Sequence, residues 1–439
     1  MRNPLSGPRG RRLAAVLVAA LSAAGAVTVS QVARASGTPT LAVTSDGPAS
    51  LWQGTVRADG PRLSSVPPCR DVHCDKLRLR VAMPSSPWRK AGGVQVAIRW
   101  GVPTEGALGL YVYRGSRLVA SSTAAVGVAQ SVIIPQPSNG QYDVYVSYGT
   151  TYGAVDPDPV ISYDGLAEVE YEPETAPLRD MLPDLSALPQ DNVTYDNPGS
   201  IFGDTAQPGQ SCFDSERTEG GAEQCLRFDQ VLKNSGDGPL ELAFDRKTGT
   251  TQDEAVVQRI YRSDKTSYDA PAGEVEFHPV HGHYHFKGFA ESDLWPADAT
   301  GKPTGTAPVV KGEKVSFCVS DTDLISFGEK GDAALSYPAP DCLDPKRIEG
   351  DTEQFWYGLS RGWGDRYNWY LPDQMIDTRG LKDGSYILFT TVDPDNKLRE
   401  SNETNNCGSV KLTLSGLATA TPKAQLLGVG PSCDVRPQV

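Results

Sequence analysis

Short runs of alternating apolar and polar residues, separated by Gly, Pro, Asn and Asp, recur along the whole chain. This period-two pattern is typical of half-buried β-strands. In the first half it predicts strands over Val94–Trp100, Leu108–Arg114, Gln130–Pro135 and Gln141–Ser147. Gly115-Ser116 separates two such runs and predicts a hairpin turn.

The second half has the same pattern, with strands predicted over Leu226–Leu232, Val256–Arg262, Lys314–Val319 and Tyr386–Val392. No amphipathic run with helical period exceeds two turns, and the chain has 44 Gly and 34 Pro, which suits turn-rich architecture. We therefore predict a mainly β protein with few helices. Because 439 residues exceed the usual size of one core, we expect two domains.

A stretch rich in proline and acidic residues at 172–177 marks the predicted linker between these domains. Residues 36–171 are predicted to form an N-terminal β-sandwich, and residues 172–439 a β-rich second domain. The first holds a single histidine, His73, so we expect a binding, spacer or chaperoning role there rather than catalysis. Its segment GLYVYRGSRLVASS resembles the jelly-roll accessory domains of secreted bacterial enzymes.

The first 35 residues have the features of an export signal. Arginines precede an uncharged run from Leu13 to about Gln31, and Ala33 and Ala35 offer a cleavage site before Ser36. The alternative is a membrane anchor, although the run is short and rich in alanine. We predict a secreted, extracellular protein without stable membrane insertion after signal cleavage, exported by either the general or the twin-arginine route.

Charge and cysteine content narrow the class further. Cleavage after residue 35 would shift the formal charge from −13 to −18, which argues against a nucleic-acid partner and is compatible with cationic substrates. Eight cysteines in an exported chain indicate disulfide bonds. Sequential pairing is the predicted connectivity: Cys69 with Cys74, Cys212 with Cys225, Cys318 with Cys342, and Cys407 with Cys433.

Four of the five histidines lie between positions 278 and 285. On a strand, His281, His283 and His285 would project from one face at intervals of roughly 6.6 Å, while Tyr284 and Phe286 project from the other. Gly282 lets the backbone bend between them. Three neutral imidazoles without a thiolate suit copper or zinc, and they leave coordination positions open as catalytic sites do. The simpler alternative is a fortuitous surface cluster.

A family resemblance separates copper from zinc. FHPVHGHYHFKGFAESDLW (277–295) resembles the copper-binding segment of the lysyl oxidases. Four further segments resemble that family in the same order: CLRFDQVLKNSGDGPLEL (225–242), GEKVSFCVSDT (312–322), RYNWYLPDQMIDT (366–378) and DGSYILFTTVDP (383–394). The resemblance covers about residues 178–433 and implies a lysyl-oxidase-like catalytic domain.

The resemblance implies two cofactors, Cu²⁺ and a lysine tyrosylquinone that the protein builds from its own side chains. Lys314 and Tyr367 match the positions of the lysine and tyrosine that form this quinone. His278 matches the first histidine of the motif, which in the family is not a principal ligand, so we expect it beside the metal shell or at the core edge. Val280 replaces a cysteine of the animal pattern, so the disulfide wiring is expected to differ.

The function implied by the resemblance is a copper-dependent protein-lysine 6-oxidase, or primary amine oxidase. It would use O₂ to convert an amine or a lysine-containing protein to an aldehyde, releasing hydrogen peroxide and ammonia. Asp293 is the candidate catalytic base, or else a partner that orients an imidazole. Two alternatives use the same histidines: a secreted zinc-dependent hydrolase, and a non-catalytic metal-binding protein.

Overall fold

The computed structural model describes residues 40–44, 49–57, 74–83, 91–101, 107–123, 127–149, 160–171, 178–201, 203–279, 282–312, 314–327 and 334–436. Within them, 55% of residues are in strands and 3% in helix, so the predicted mainly β fold is confirmed. The predicted signal segment 1–35 and linker 172–177 lie outside these ranges, and the domain boundaries stay predictions. The described part of the chain contains no helix with the length and hydropathy needed to cross a bilayer.

The first half of the described chain forms two sheets that enclose one apolar core. Their orders are β1-β3-β8-β5-β6 and β2-β9-β4-β7. Buried residues from both sheets, such as Leu79 and Val144 from one and Val96 and Ile161 from the other, meet in that core, as in a β-sandwich. The jelly-roll topology stays a prediction. The strands are β1 Thr40–Val43, β2 Ser50–Arg57, β3 Cys74–Val81, β4 Ala91–Trp100, β5 Leu108–Arg114, β6 Arg117–Ser122, β7 Ala129–Ile134, β8 Gly140–Tyr148 and β9 Val160–Tyr171.

All four strands predicted in this half are present, and so is the hairpin. β5 and β6 pair antiparallel, with Arg114 opposite Arg117. Gly115, in the turn between them, has φ of 60°, a left-handed conformation that glycine adopts without strain.

The second half contains β10 Asp180–Met181, β11 Leu185–Ala187, β12 Asp191–Thr194, β13 Ser200–Ile201, β14 Asp204–Thr205, β15 Cys225–Asn234, β16 Leu240–Lys247, β17 Glu254–Arg262, β18 Ser267–His278, β19 His283–Lys287, β20 Ala290–Pro296, β21 Val310–Lys311, β22 Ser316–Phe317, β23 Asp323–Leu324, β24 Arg347–Glu349, β25 Thr352–Leu359, β26 Trp363–Tyr367, β27 Met375–Asp377, β28 Gly384–Val392, β29 Cys407–Ser415 and β30 Lys423–Val429. Where the chain is described, its one α-helix is α1, Asp214–Thr218.

Three larger sheets organise these strands. An eight-stranded sheet has the order β22-β19-β18-β17-β16-β25-β24, with β10 paired to β17. A six-stranded sheet has the order β11-β15-β26-β23, with β12 and β27 paired to β15, and a five-stranded sheet has the order β21-β20-β28-β29-β30. The strand predicted over Lys314–Val319 is shorter than expected, because only Ser316 and Phe317 pair with β19.

The N-terminal sandwich packs directly against the second half of the chain. Ala97, Ala129 and Leu166 belong to the same apolar cluster as Leu324 and Trp363. At this junction the Val128 amide donates to the Thr322 carbonyl at 2.7 Å, and the Arg99 guanidinium lies 4.4 Å from the centroid of the Phe327 ring. The sandwich therefore supports β23, which pairs with β26.

Three of the four predicted disulfides are present: Cys212–Cys225, Cys318–Cys342 and Cys407–Cys433. Their Cα atoms are 5.1, 6.0 and 6.0 Å apart, within the usual range for a disulfide. Cys74 is also disulfide-bonded, whereas Cys69 lies outside the described residues.

Candidate functional site

The histidine segment forms a tight hairpin at one end of the eight-stranded sheet. β18 ends at His278 and β19 begins at His283, and these two residues are paired across the ladder. Gly282 closes the turn by donating its amide to the His278 carbonyl at 2.8 Å. Its φ of 72° is left-handed, as the bend predicted at this glycine requires.

The imidazoles of the hairpin converge on one face. The Nε2 atoms of His283 and His285 are 3.1 Å apart, and two nitrogens that bind one ion at about 2 Å are on the order of 3 Å apart. The rings of His278 and His285 stack with centroids 4.9 Å apart. Burial lowers the pKa of His278, which favours its neutral form. His281, the third predicted ligand, lies outside the described residues.

Aromatic residues anchor the other face of β19, as its sequence alternation predicted. Tyr284 and Phe286 are buried, and the Tyr284 ring packs against Phe244 and Phe277 with centroids 5.4 and 5.3 Å away. His285 is only 2% exposed. These contacts fix the strand, so the imidazoles are positioned by the hydrophobic core.

Lys314 and Tyr367, which the sequence analysis paired only by resemblance, are in contact. The Lys314 Nζ atom lies 4.9 Å from the centroid of the Tyr367 ring and 5.3 Å from that of Phe317. The Tyr367 hydroxyl donates to the Cys318 carbonyl at 2.9 Å. Phe317 packs edge-on against the Tyr367 ring at 4.8 Å, so the phenol is held between a backbone acceptor and an aromatic wall.

Strand pairing links this pair to the histidine hairpin. Phe317 of β22 lies opposite Phe286 of β19, and Phe286 directly follows His285 in the chain. Tyr367 ends β26, where Gln230 of β15 is its ladder partner. Phe317 therefore contacts the tyrosine while its own strand lies beside the histidine strand. The charge of Lys314 also lowers the pKa of His278, so the two predicted cofactor sites lie within electrostatic range of each other.

The electrostatic environment favours neutral forms of both side chains. Burial lowers the pKa of Lys314, although the negative charges of Asp373 and Asp365 act in the opposite direction. Burial, followed by the charge of Asp365, raises the pKa of Tyr367 well above its ordinary value. A lysine amine that loses its proton readily is a competent nucleophile.

The loop after Tyr367 is held by a buried ion pair between Arg227 and Glu216. The Arg227 guanidinium also donates to the carbonyls of Trp369 and Leu371 at 3.1 and 2.9 Å. Glu216 accepts the amide of Asp373 at 2.8 Å. These bonds fix the loop whose Asp373 charge acts on both Lys314 and His278.

Asp293 lies on β20 of the five-stranded sheet and is buried. Its Oδ2 accepts from Arg436 Nη1 at 3.1 Å. Burial raises the pKa of this carboxyl, and the Arg436 charge opposes that effect. Its ion pair is thus with the C-terminal segment rather than with Lys314, and a role as base stays a prediction.

Asp365, two residues before Tyr367 on β26, is not among the site residues predicted from the sequence. It is 1% exposed, and burial raises its pKa well above the ordinary value. Strand spacing places its side chain on the same face of β26 as that of Tyr367. This spacing could have identified Asp365 once Tyr367 had been singled out.

The fold and the site together define a class of β-rich protein that combines a multi-histidine hairpin with an adjacent lysine–tyrosine contact. Comparison with known proteins gives the family. Residues 256–422, which include all the predicted site residues, match the lysyl oxidase family model. This part of the chain is therefore similar to the lysyl oxidase family.

Individual relatives match over about a third of the chain. Lysyl oxidase homolog 1 of Bos taurus is 31% identical over 36% of this chain and 23% of its own length. Lysyl oxidase homolog 1 of Homo sapiens is 34% identical over 31% of this chain and 20% of its own. Protein-lysine 6-oxidase of Sus scrofa is 29% identical over 33% of this chain and 49% of its own. The chain therefore spans half or less of each of these relatives.

Proposed function

We propose that this protein is a secreted copper amine oxidase that converts primary amines to aldehydes and releases hydrogen peroxide and ammonia. The observation that carries the proposal is the contact of the Lys314 Nζ atom with the Tyr367 ring, 4.9 Å from its centroid, beside the histidine hairpin. A zinc hydrolase or a metal-binding protein with no redox role would have no use for this contact.

In this proposal His281, His283 and His285 hold the copper. The 3.1 Å separation of the His283 and His285 nitrogens fits two ligands of one ion. Imidazole ligands without a thiolate suit Cu²⁺, which heads the affinity order of the divalent first-row metals. His278, stacked on His285, orients that ligand ring.

Copper and the quinone formed from Lys314 and Tyr367 together supply the redox chemistry, with O₂ as the oxidant. The chain's own residues prepare that cofactor. Burial keeps the Lys314 amine easily deprotonated, and the Cys318 carbonyl and Phe317 hold the phenol ring in one orientation. Asp293 remains the proposed base for the substrate, through its carboxylate oxygens on β20.

The proposed substrates are peptidyl lysine and small primary amines. The mature chain has a formal charge of −18 if cleavage follows residue 35, and an acidic surface attracts ammonium groups at low ionic strength. Export is supported by the signal-like N-terminus and by the disulfides, which persist in oxidising compartments.

The test uses the mature chain loaded with copper in air. We expect a visible quinone band, its conversion by phenylhydrazine to a hydrazone, and peroxide release from a lysine-containing peptide. Tyr367→Phe should lose all three. The matched control is Tyr386→Phe, since the Tyr386 hydroxyl also donates to a backbone carbonyl, at 2.5 Å, but lies in the five-stranded sheet. A colourless wild-type protein that binds copper without releasing peroxide would contradict the proposal.

A further inference from the structure

Asp365 is a buried carboxyl group that the proposed reaction has not yet used. It is 1% exposed, and no described residue hydrogen-bonds to its Oδ2 atom. Burying a carboxylate oxygen without a hydrogen-bond partner lowers the stability of the fold. Such a group in a well-packed sheet calls for a functional explanation.

Strand spacing places the side chain of Asp365 on the same face of β26 as that of Tyr367, and its charge acts on both Lys314 and Tyr367. β26 is extended through Asp365, Arg366 and Tyr367, so the first and third side chains share one face. Arg366 points to the opposite face, where it forms ion pairs with Asp323 and Asp229. Arg366 therefore does not neutralise Asp365.

The charges acting on Asp365 identify its neighbours. Burial raises its pKa most, Asp321 raises it further, and hydrogen bonds from Ser320 and the charge of Lys314 lower it. Reciprocally, Asp365 raises the pKa of Lys314, against the larger effect of burial. Because burial disfavours the charged form of this carboxyl group, its carboxylate is a stronger proton acceptor than an exposed one.

We propose that Asp365 accepts the proton that the Lys314 amine must lose when it bonds to the oxidised Tyr367 ring. The inference rests on the proposed function and gives Asp365 a role in forming the cofactor. The cross-link makes one N–C bond in place of an N–H and a ring C–H bond, and the nitrogen proton passes to Oδ2 of Asp365. Overall, two molecules of O₂ would take four hydrogens from the pair, leave one oxygen on the ring and release water and hydrogen peroxide, and bound copper would supply the redox chemistry.

The other nearby carboxyl groups are less suited to this role. Asp373 is half-buried in the loop beyond Tyr367. Its backbone has φ of 64° and is held by a hydrogen bond from its amide to the Glu216 carboxylate. Asp293 is engaged by Arg436 on another sheet. Asp365 combines burial, an oxygen without a hydrogen bond, and the same strand face as Tyr367.

The experiment follows cofactor formation rather than turnover. Apo mature chain is mixed with copper in air, and the Lys314–Tyr367 cross-link is quantified over time by peptide mass mapping, alongside bound copper and thermal unfolding. Asp365→Asn keeps the shape of the side chain but cannot accept the proton. We expect copper content and folding to match the wild type while the cross-linking rate falls on the order of 10²-fold, the usual contribution of a general base.

Two further variants separate this role from a structural one. Asp323→Asn removes the ion pair on the opposite face of β26 and should cross-link at the wild-type rate. Asp365→Ala should recover part of its rate when formate is added, because formate can enter the vacated space as a proton acceptor, whereas chloride at equal ionic strength should have no effect.

The outcomes distinguish the inference from the function on which it rests. Wild-type rates of cross-linking in both Asp365 variants would overturn the role of Asp365 and leave the oxidase proposal intact. A wild-type chain that binds copper and never cross-links would overturn the oxidase proposal itself. If Asp365→Asn does not fold, the cross-linking rate of Asp365→Ala with and without formate tests the inference instead. A rate that formate does not increase would contradict the role of Asp365 as proton acceptor.

Discussion

The histidine hairpin and the Lys314–Tyr367 contact lie side by side but depend on the sequence in different ways. The hairpin is local: four histidines within eight residues, one glycine bend and two buried aromatics define it. The contact joins residues from β26 and from the segment before β22, which come together only when several sheets assemble. Metal binding should therefore tolerate damage to the tertiary structure better than cofactor formation does.

The largest predicted effect separates the two regions completely. Lys314→Arg should bind copper as the wild type does, since no histidine changes, but guanidinium remains protonated and cannot add to the ring. Amine oxidation should then fall to background, as enzymatic accelerations are on the order of 10⁶-fold or more. Copper analysis and a peroxide assay on the same sample check this, and an active Lys314→Arg protein would contradict it.

A second comparison lies within the hairpin. His285→Gln removes a proposed ligand and should weaken copper binding by more than about 100-fold. His278→Gln removes only its orienting partner and should cost about 10- to 100-fold. Competition titration with a copper chelator measures both, with His73→Gln as the control outside the cluster. If both variants lost the same copper affinity, His278 would be a copper ligand rather than an orienting residue.

A substitution at the junction with the N-terminal sandwich should have a smaller effect, and should act on the Lys314–Tyr367 contact rather than on the histidine hairpin. Gly127 has φ of 108°, and a Cβ atom there would lie 2.7 Å from the Thr322 carbonyl oxygen. Gly127→Ala should displace Thr322, whose amide donates to Gly364 of β26 at 3.0 Å. We expect a loss of about 1–3 kcal/mol in unfolding free energy and slower cross-linking with unchanged copper affinity. Weakened copper binding would contradict the separation of the two regions.

The smallest effect concerns the hairpin turn. Gly282→Ala meets no neighbouring atom within 4 Å, so its cost comes from the left-handed backbone alone, about 1–2 kcal/mol. Gly115→Ala, at φ of 60° and also in open space, should lower the unfolding free energy equally. Only Gly282→Ala should also weaken copper binding. Urea unfolding of each variant with and without copper measures how much copper raises its unfolding free energy. An equal rise in the two variants would contradict the expectation.

The sequence predicted those features that depend on residues close together in the chain. Strand alternation located β5, β8 and the other predicted strands in both halves, and spacing placed His283 and His285 on one face opposite Tyr284. Lys314 and Tyr367 were reached only through resemblance, because periodicity cannot show which of 17 tyrosines a lysine will meet. Asp365 was missed for the same reason, since its unpaired oxygen exists only after β26 is buried.

The packing of the N-terminal sandwich on β23 could not be predicted from the sequence either. The alternation in that half predicted its strands. The residue types of Ala97, Ala129 and Leu166 do not show whether a position faces the core of the sandwich or the second half of the chain. Small apolar residues serve equally in both settings. From the sequence we expected only a binding, spacer or chaperoning role for this half, and its contacts with β23, the strand beside β26, became visible only in the folded chain.

Whether Lys314 and Tyr367 form the cofactor can be decided by a peptide mass map of the copper-loaded mature chain, prepared with disulfides reduced. We expect one cross-linked product containing Lys314 and Tyr367, carrying one added oxygen and lacking four hydrogens, which is absent when copper or O₂ is withheld. Recovery of both peptides unlinked from a copper-saturated, air-exposed sample would contradict the proposal that Lys314 and Tyr367 form the cofactor.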